Sequence, residues 1–147
     1  MKSIDDILEL ADKRLAEAEF LVDKFPSGAY YLAGYAAELT LKARICKLLD
    51  FDNFYSVKQP IKRGSDAFFT HELTQLLTLS GLRKRLEDEI DREKGANSEL
   101  AINWQLICNW NESRRYDLSI EKPEALDLLN ALTNDKTGFL PWIRKNW

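Results

Sequence analysis

The stretch AYYLAGYAAELTLKARICKLL, Ala29 to Leu49, decides the fold. At 3.6 residues per turn its apolar side chains point in nearly every direction, the pattern of a helix covered by neighbours on most sides. Ala29, Ala33, Gly34, Ala36 and Ala37 are small and leave room for another helix to approach closely. The spacing predicts a central helix from Ser27 to about Leu49. Tyr31–Leu49 should be the most buried segment, packed on at least the first and last helices.

Working outward, Ser3 to Phe25 places Ile4, Ile7, Leu8, Ala11, Leu15, Ala18, Leu21 and Val22 at three- and four-residue spacing, with charged residues on the other face. That is an amphipathic helix, with Ser3 as candidate N-cap and acids in the first turn. Phe25-Pro26-Ser27-Gly28 breaks it, because the residue before a proline is pushed out of helical geometry. So short a break implies a helical hairpin. Downstream, Asp50 to Thr70 loses periodicity and reads as a long loop, of the kind more often functional than not. His71 to Ser80 returns to helical spacing, with Gly81 placed to end it. Leu82 to Lys94 reads as a helix with a narrow stripe of Leu82, Leu86 and Ile90. After the break at Gly95–Ser98, Glu99 to Asn109 reads helical, and Asn111 to Ile120 reads as a polar connector. Lys122-Pro123-Glu124 opens a last helix, which runs through Leu132, is interrupted at Thr137-Gly138 and ends near Ile143. No strand, repeat or low-complexity tract stands out. The reading is all-α: an antiparallel four- to five-helix bundle, one domain over residues 1–147, with a long loop between the second and third helices.

Composition narrows the function classes. Of 147 residues, 45% are hydrophobic and 31% charged, ordinary for a globular protein. The net charge of −3 argues against a general polyanion-coating protein, though not against a local basic groove. The longest apolar run, near Ala29–Ala37, is far short of the ~20 residues of a membrane-spanning helix. Acids in MKSIDDILELADKR occupy the place of a signal peptide's apolar stretch. Two cysteines, Cys46 and Cys108, exclude a disulfide framework or a Cys-rich zinc site. The expectation is a cytoplasmic protein with no membrane association, no metal and no cofactor.

The usual catalytic signatures are missing. There is no glycine-rich phosphate loop, no nucleophile elbow, and one histidine, His71. His71 reads first as a helix-start residue bonding nearby backbone or a carboxylate, and second as a participant in chemistry. Glu38 and Lys42 lie four apart on the otherwise apolar central helix. Charges there must find partners or face solvent through a cleft. Arg114 and Arg115, bracketed by Trp110 and Tyr116, combine cations with stacking surface. Such a mixture binds single-stranded nucleic acid or a nucleotide phosphate; it also serves structural loops, with the arginines paired to Glu112 or Asp117. We expect the connector to fold against the central helix so that Arg114 or Arg115 pairs with Glu38. Candidate ligand-binding residues are thus Arg114, Arg115, Tyr116, Glu38 and Lys42; a catalytic reading would use Arg115, Glu38 and His71.

The run AYYLAGYAAELTLKARIC, followed by THELTQLLTLSGL and WNESRRYD, resembles the HEPN superfamily (higher eukaryote and prokaryote nucleotide-binding domains), specifically the small prokaryotic HEPN proteins encoded beside minimal nucleotidyltransferases. Shared features are the Ala/Tyr-rich second helix with its Glu-x-x-x-Lys step, a His-[Asp/Glu]-Leu opening the next helix, and a Trp…Arg-Tyr corner before the last. The resemblance spans roughly Leu8 to Leu132. It implies a four- or five-helix bundle, usually a homodimer. Many members resemble metal-independent ribonucleases with a late Arg-x(4–6)-His motif. Here no histidine follows Arg114 or Arg115, and seven residues separate His71 from the nearest preceding arginine, Arg63. Without that histidine the usual chemistry lacks its proton carrier. The resemblance therefore implies a non-catalytic binding domain for a nucleotide or RNA phosphate, working with a nucleotidyltransferase or a defence-system partner. The alternatives are a ribonuclease toxin of a toxin–antitoxin pair with a diverged site, and a structural helical adaptor. The aromatic C-terminus (Phe139, Trp142, Trp147) adds apolar surface that a homodimer would cover.

Overall fold

A computed structural model describes residues 3–52, 69–93 and 95–147. Among these residues the fold is all-α, with seven α-helices and no strand. We number them α1 (Ile4–Leu21), α2 (Pro26–Leu49), α3 (Leu73–Leu79), α4 (Arg83–Glu93), α5 (Glu99–Cys108), α6 (Lys122–Thr133) and α7 (Phe139–Lys145). Most of the expected Asp50–Thr70 loop, with Lys58, Lys62 and Arg63, lies outside the described residues.

The first helix starts where its cap allows. Ser3 Oγ accepts the Asp6 amide at 3.2 Å while the Ser3 amide donates to Asp6 Oδ2 at 3.1 Å, a reciprocal pair that satisfies two orphan donors. The chain then reverses, and α2 begins at Pro26, one residue earlier than the sequence suggests, because a proline suits a helix's first turn. At its far end Asp50 caps α2 in the left-handed conformation, φ 59°.

Helix α2 is the spine: fourteen of its 24 residues are buried, the largest buried set of any element. It packs on α1, α3, α6 and α7, as its all-round apolar pattern predicts. Gly34 makes the tightest approach. A Cβ there would lie 2.2 Å from the ring of Trp110, whose Nε1 donates to the Tyr31 carbonyl at 3.2 Å. The small residues of α2 thus admit an indole.

Helix α4 buries only Leu86 and keeps its charged residues outside, the narrow stripe expected of it. The interruption before α7 starts at Asn134, whose Oδ1 accepts the Lys136 and Thr137 amides at 3.0 and 3.1 Å. Phe139 and Trp142 are buried inside the same chain, with Phe139 against Trp104 at a 4.8 Å ring separation, so these two aromatics leave little surface for a partner to cover. The most exposed large apolar side chains lie elsewhere: Phe20, Phe25, Tyr116 and Leu118. No helix of the described residues is long and apolar enough to cross a membrane.

Candidate functional site

Glu38 and Lys42 project from α2 one turn apart, and both are buried, Glu38 to 2% exposure. Lys42 Nζ donates to Glu38 Oε1 at 2.7 Å. Burying this pair is tolerable because the opposite charges meet directly. A second group reaches the same oxygen: His71 Nδ1 lies 3.0 Å from Glu38 Oε1. Its other nitrogen, Nε2, lies 3.0 Å from Glu112 Oε2. His71 therefore sits between two carboxylates, one buried and one half-exposed.

His71 does not begin a helix. It occupies the extended lead-in to α3, which starts at Leu73 with Glu72 as its N-cap residue (φ −76°, ψ 106°). Leaving the helix lets the imidazole reach across to α2.

The polar connector contains a short 3-10 helix, Glu112–Tyr116. Asn111 opens it by accepting the Ser113 amide at 3.1 Å, and Trp110 anchors its start in the groove over Gly34. The two arginines on this turn divide their work. Arg114 is half-buried: it donates to Asp117 Oδ2 at 3.0 Å and to the Asn109 carbonyl at 3.3 Å, and its guanidinium lies 5.8 Å from the Tyr30 ring centre. Burial raises the Tyr30 phenol above its usual pKa, while the Arg114 charge works in the opposite direction. Hydrogen bonds from Ser119 chiefly, then Arg114, hold the Asp117 carboxyl below the usual range.

Arg115 is exposed and stacks 4.8 Å from the ring centre of Tyr116. Its pKa lies above the ordinary arginine value, through Tyr116 first, with Tyr31 adding to it. Among the described residues no carboxylate forms a salt bridge with Arg115. Tyr116 is 75% and Leu118 91% exposed, so cation, ring and apolar side chain share an open rim.

The expected pairing of Glu38 with Arg114 or Arg115 is not formed. Glu38 bonds Lys42 and His71, while Arg114 is taken by Asp117. The reason is reach: the ammonium one turn away and the imidazole of the lead-in meet the buried carboxylate directly. Glu38, Lys42 and His71 do converge, and Glu112 joins them. Nothing in its spacing singled out Glu112, one of two acids beside two arginines.

The thiols of Cys46 and Cys108 are both pushed up to about 11 by burial, which makes them poor nucleophiles. No cluster of three or more His, Cys, Asp or Glu side chains suited to a metal ion occurs among the described residues. Comparison with family models, curated proteins and solved structures finds no match to this chain.

Proposed function

We propose that this chain is a non-catalytic HEPN-type binding domain that takes a nucleotide or RNA phosphate at the Arg115–Tyr116 rim. In this reading it acts in the cytoplasm as a homodimer beside a nucleotidyltransferase or a defence-system partner. The carrying observation is the division between the arginines: Arg114 is neutralised by Asp117, whereas Arg115 stands exposed on Tyr116 without a carboxylate among the described residues. A planar cation beside an open aromatic ring suits a phosphate with its stacked base.

The engagement of His71 supports the non-catalytic half of the reading. A general base needs a nitrogen within reach of the proton it removes. Both ring nitrogens of His71 face carboxylates, and Glu112 puts negative charge where a phosphate would approach. One observation favours the ribonuclease reading: a buried carboxylate on Nδ1 orients an imidazole as in hydrolytic triads. Glu112 would then have to swing aside to free Nε2.

The test is titration of the protein with single-stranded oligouridylate, with cleavage followed in the same samples. Binding without cleavage, lost in Arg115→Ala, is the expected result. Cleavage by the wild type that disappears in His71→Ala would establish the ribonuclease instead. Absence of both binding and cleavage would leave the helical adaptor.

A further inference from the structure

The bonds of His71 join three parts of the chain that are far apart in sequence. Glu38 lies in the middle of α2, His71 precedes α3, and Glu112 opens the turn that carries Arg114, Arg115 and Tyr116. The turn is secured at its start by Trp110 under the Tyr31 carbonyl, and the connector ends at buried Ile120, whose carbonyl accepts from Ser27 Oγ at 3.5 Å. Between these anchors no residue of the turn is buried. The Glu112–His71 bond ties this exposed segment sideways to the bundle.

We infer that His71 is the positioning residue of the Arg115 rim, a clasp that holds the Glu112–Tyr116 turn against α2 while the imidazole is protonated and loosens it when the proton leaves.

The argument is one of donors and acceptors. Both groups bonded to His71 are carboxylate acceptors, Glu38 and Glu112; of the nearby cations, Lys42 is on Glu38, Arg114 on Asp117, and Arg115 is exposed on Tyr116. Glu72 is the neighbouring charge on its own segment. An imidazolium donates from both nitrogens and satisfies both carboxylates. A neutral imidazole has one N–H. If it keeps Nδ1–H on Glu38, the Nε2 lone pair faces a Glu112 oxygen at 3.0 Å, and that contact turns repulsive. Loss of the imidazole's second N–H donor is therefore the event that opens the clasp. Glu38 is buried and Glu112 half-exposed, so keeping the single N–H on Glu38 costs less and leaves Glu112 as the half that opens.

What Arg115 binds rests on the function proposed above; the clasp itself does not, and it is tested first without ligand. His71 is the chain's single histidine, so its ring signals in nitrogen-15 NMR are unambiguous. Backbone relaxation of the Arg114–Tyr116 amides is measured across the same pH series. The expected result is a turn that is rigid in acid and mobile in base, with the same midpoint as the His71 ring. Glu112→Ala should be mobile throughout. Glu112→Gln should stay rigid throughout, because its amide can donate to a neutral Nε2. Both substitutions fall on a half-exposed side chain, so folding is not at stake. Affinity for oligouridylate should then fall several-fold from acid to base in the wild type and lose that dependence in Glu112→Gln. Equal mobility of wild type and Glu112→Ala at every pH would overturn the clasp, as would a Glu112→Gln turn as mobile as that of Glu112→Ala. If the wild type never binds the oligonucleotide, the proposed function falls while the relaxation series still decides the clasp.

Discussion

The middle of α2 and the Glu112–Tyr116 turn touch each other, yet they are held by opposite means. Helix α2 is fixed by packing, buried on most sides and so close to its neighbours that Gly34 has no room for a methyl group. The turn buries none of its residues and keeps its place through side-chain bonds from Asn111, Glu112 and Arg114. Packing spreads its stabilisation over many contacts. A bond-held segment depends on a few donors and acceptors, and a single polar change reaches it.

Five variants would break or sharpen that contrast. The largest effect should come from the buried ion pair of α2: Lys42→Met leaves Glu38 buried with His71 as its remaining partner among the described residues, at a cost of about 3–5 kcal/mol by chemical denaturation. The double change Glu38→Leu with Lys42→Met should recover most of that loss, since an apolar pair of similar volume replaces the ions. Leu39→Ala, wholly within packing, should cost about 2–5 kcal/mol through its cavity. Gly34→Ala should cost about 1–3 kcal/mol and alter tryptophan fluorescence as the Trp110 indole is displaced. Smallest of all, Arg115→Ala should change stability by no more than about 0.5 kcal/mol, as for exposed sites. A loss at Arg115 as large as that at Leu39 would mean the turn is part of the core after all.

The same contrast governs what the sequence could reveal. The α2 spine, the Ser3 cap and the sparse stripe of α4 follow from periodicity and local chemistry, and all three were legible. That Glu38 and Lys42 need partners was legible too, because two charges on an apolar helix must be answered; that they answer each other was not. The rest was not. A five-residue 3-10 turn of polar residues has no apolar period to announce it. Which cation answers Glu38 depends on how α3 enters the bundle, and Leu73 is a better marker of that start than His71, because the imidazole is drawn away from helical register by its partners. The choice of Asp117 over Glu112 for Arg114 is likewise three-dimensional. Two acids flank the two arginines, Glu112–Arg115 and Arg114–Asp117 are equally spaced, and only the position of His71 separates the pairings.

The contact between Gly34 and Trp110 has a consequence for how this sequence can diverge. The two positions are 76 apart in the chain but share one volume, and neither can change size alone. A residue with a Cβ at 34 requires a smaller side chain at 110, and the loss of the indole also removes the donor on the Tyr31 carbonyl. Related chains should therefore vary at these positions as a pair: glycine with tryptophan, or a larger residue with a smaller ring or none. In the second class the connector would lose its anchor, and with it the fixed approach of the arginine turn to α2.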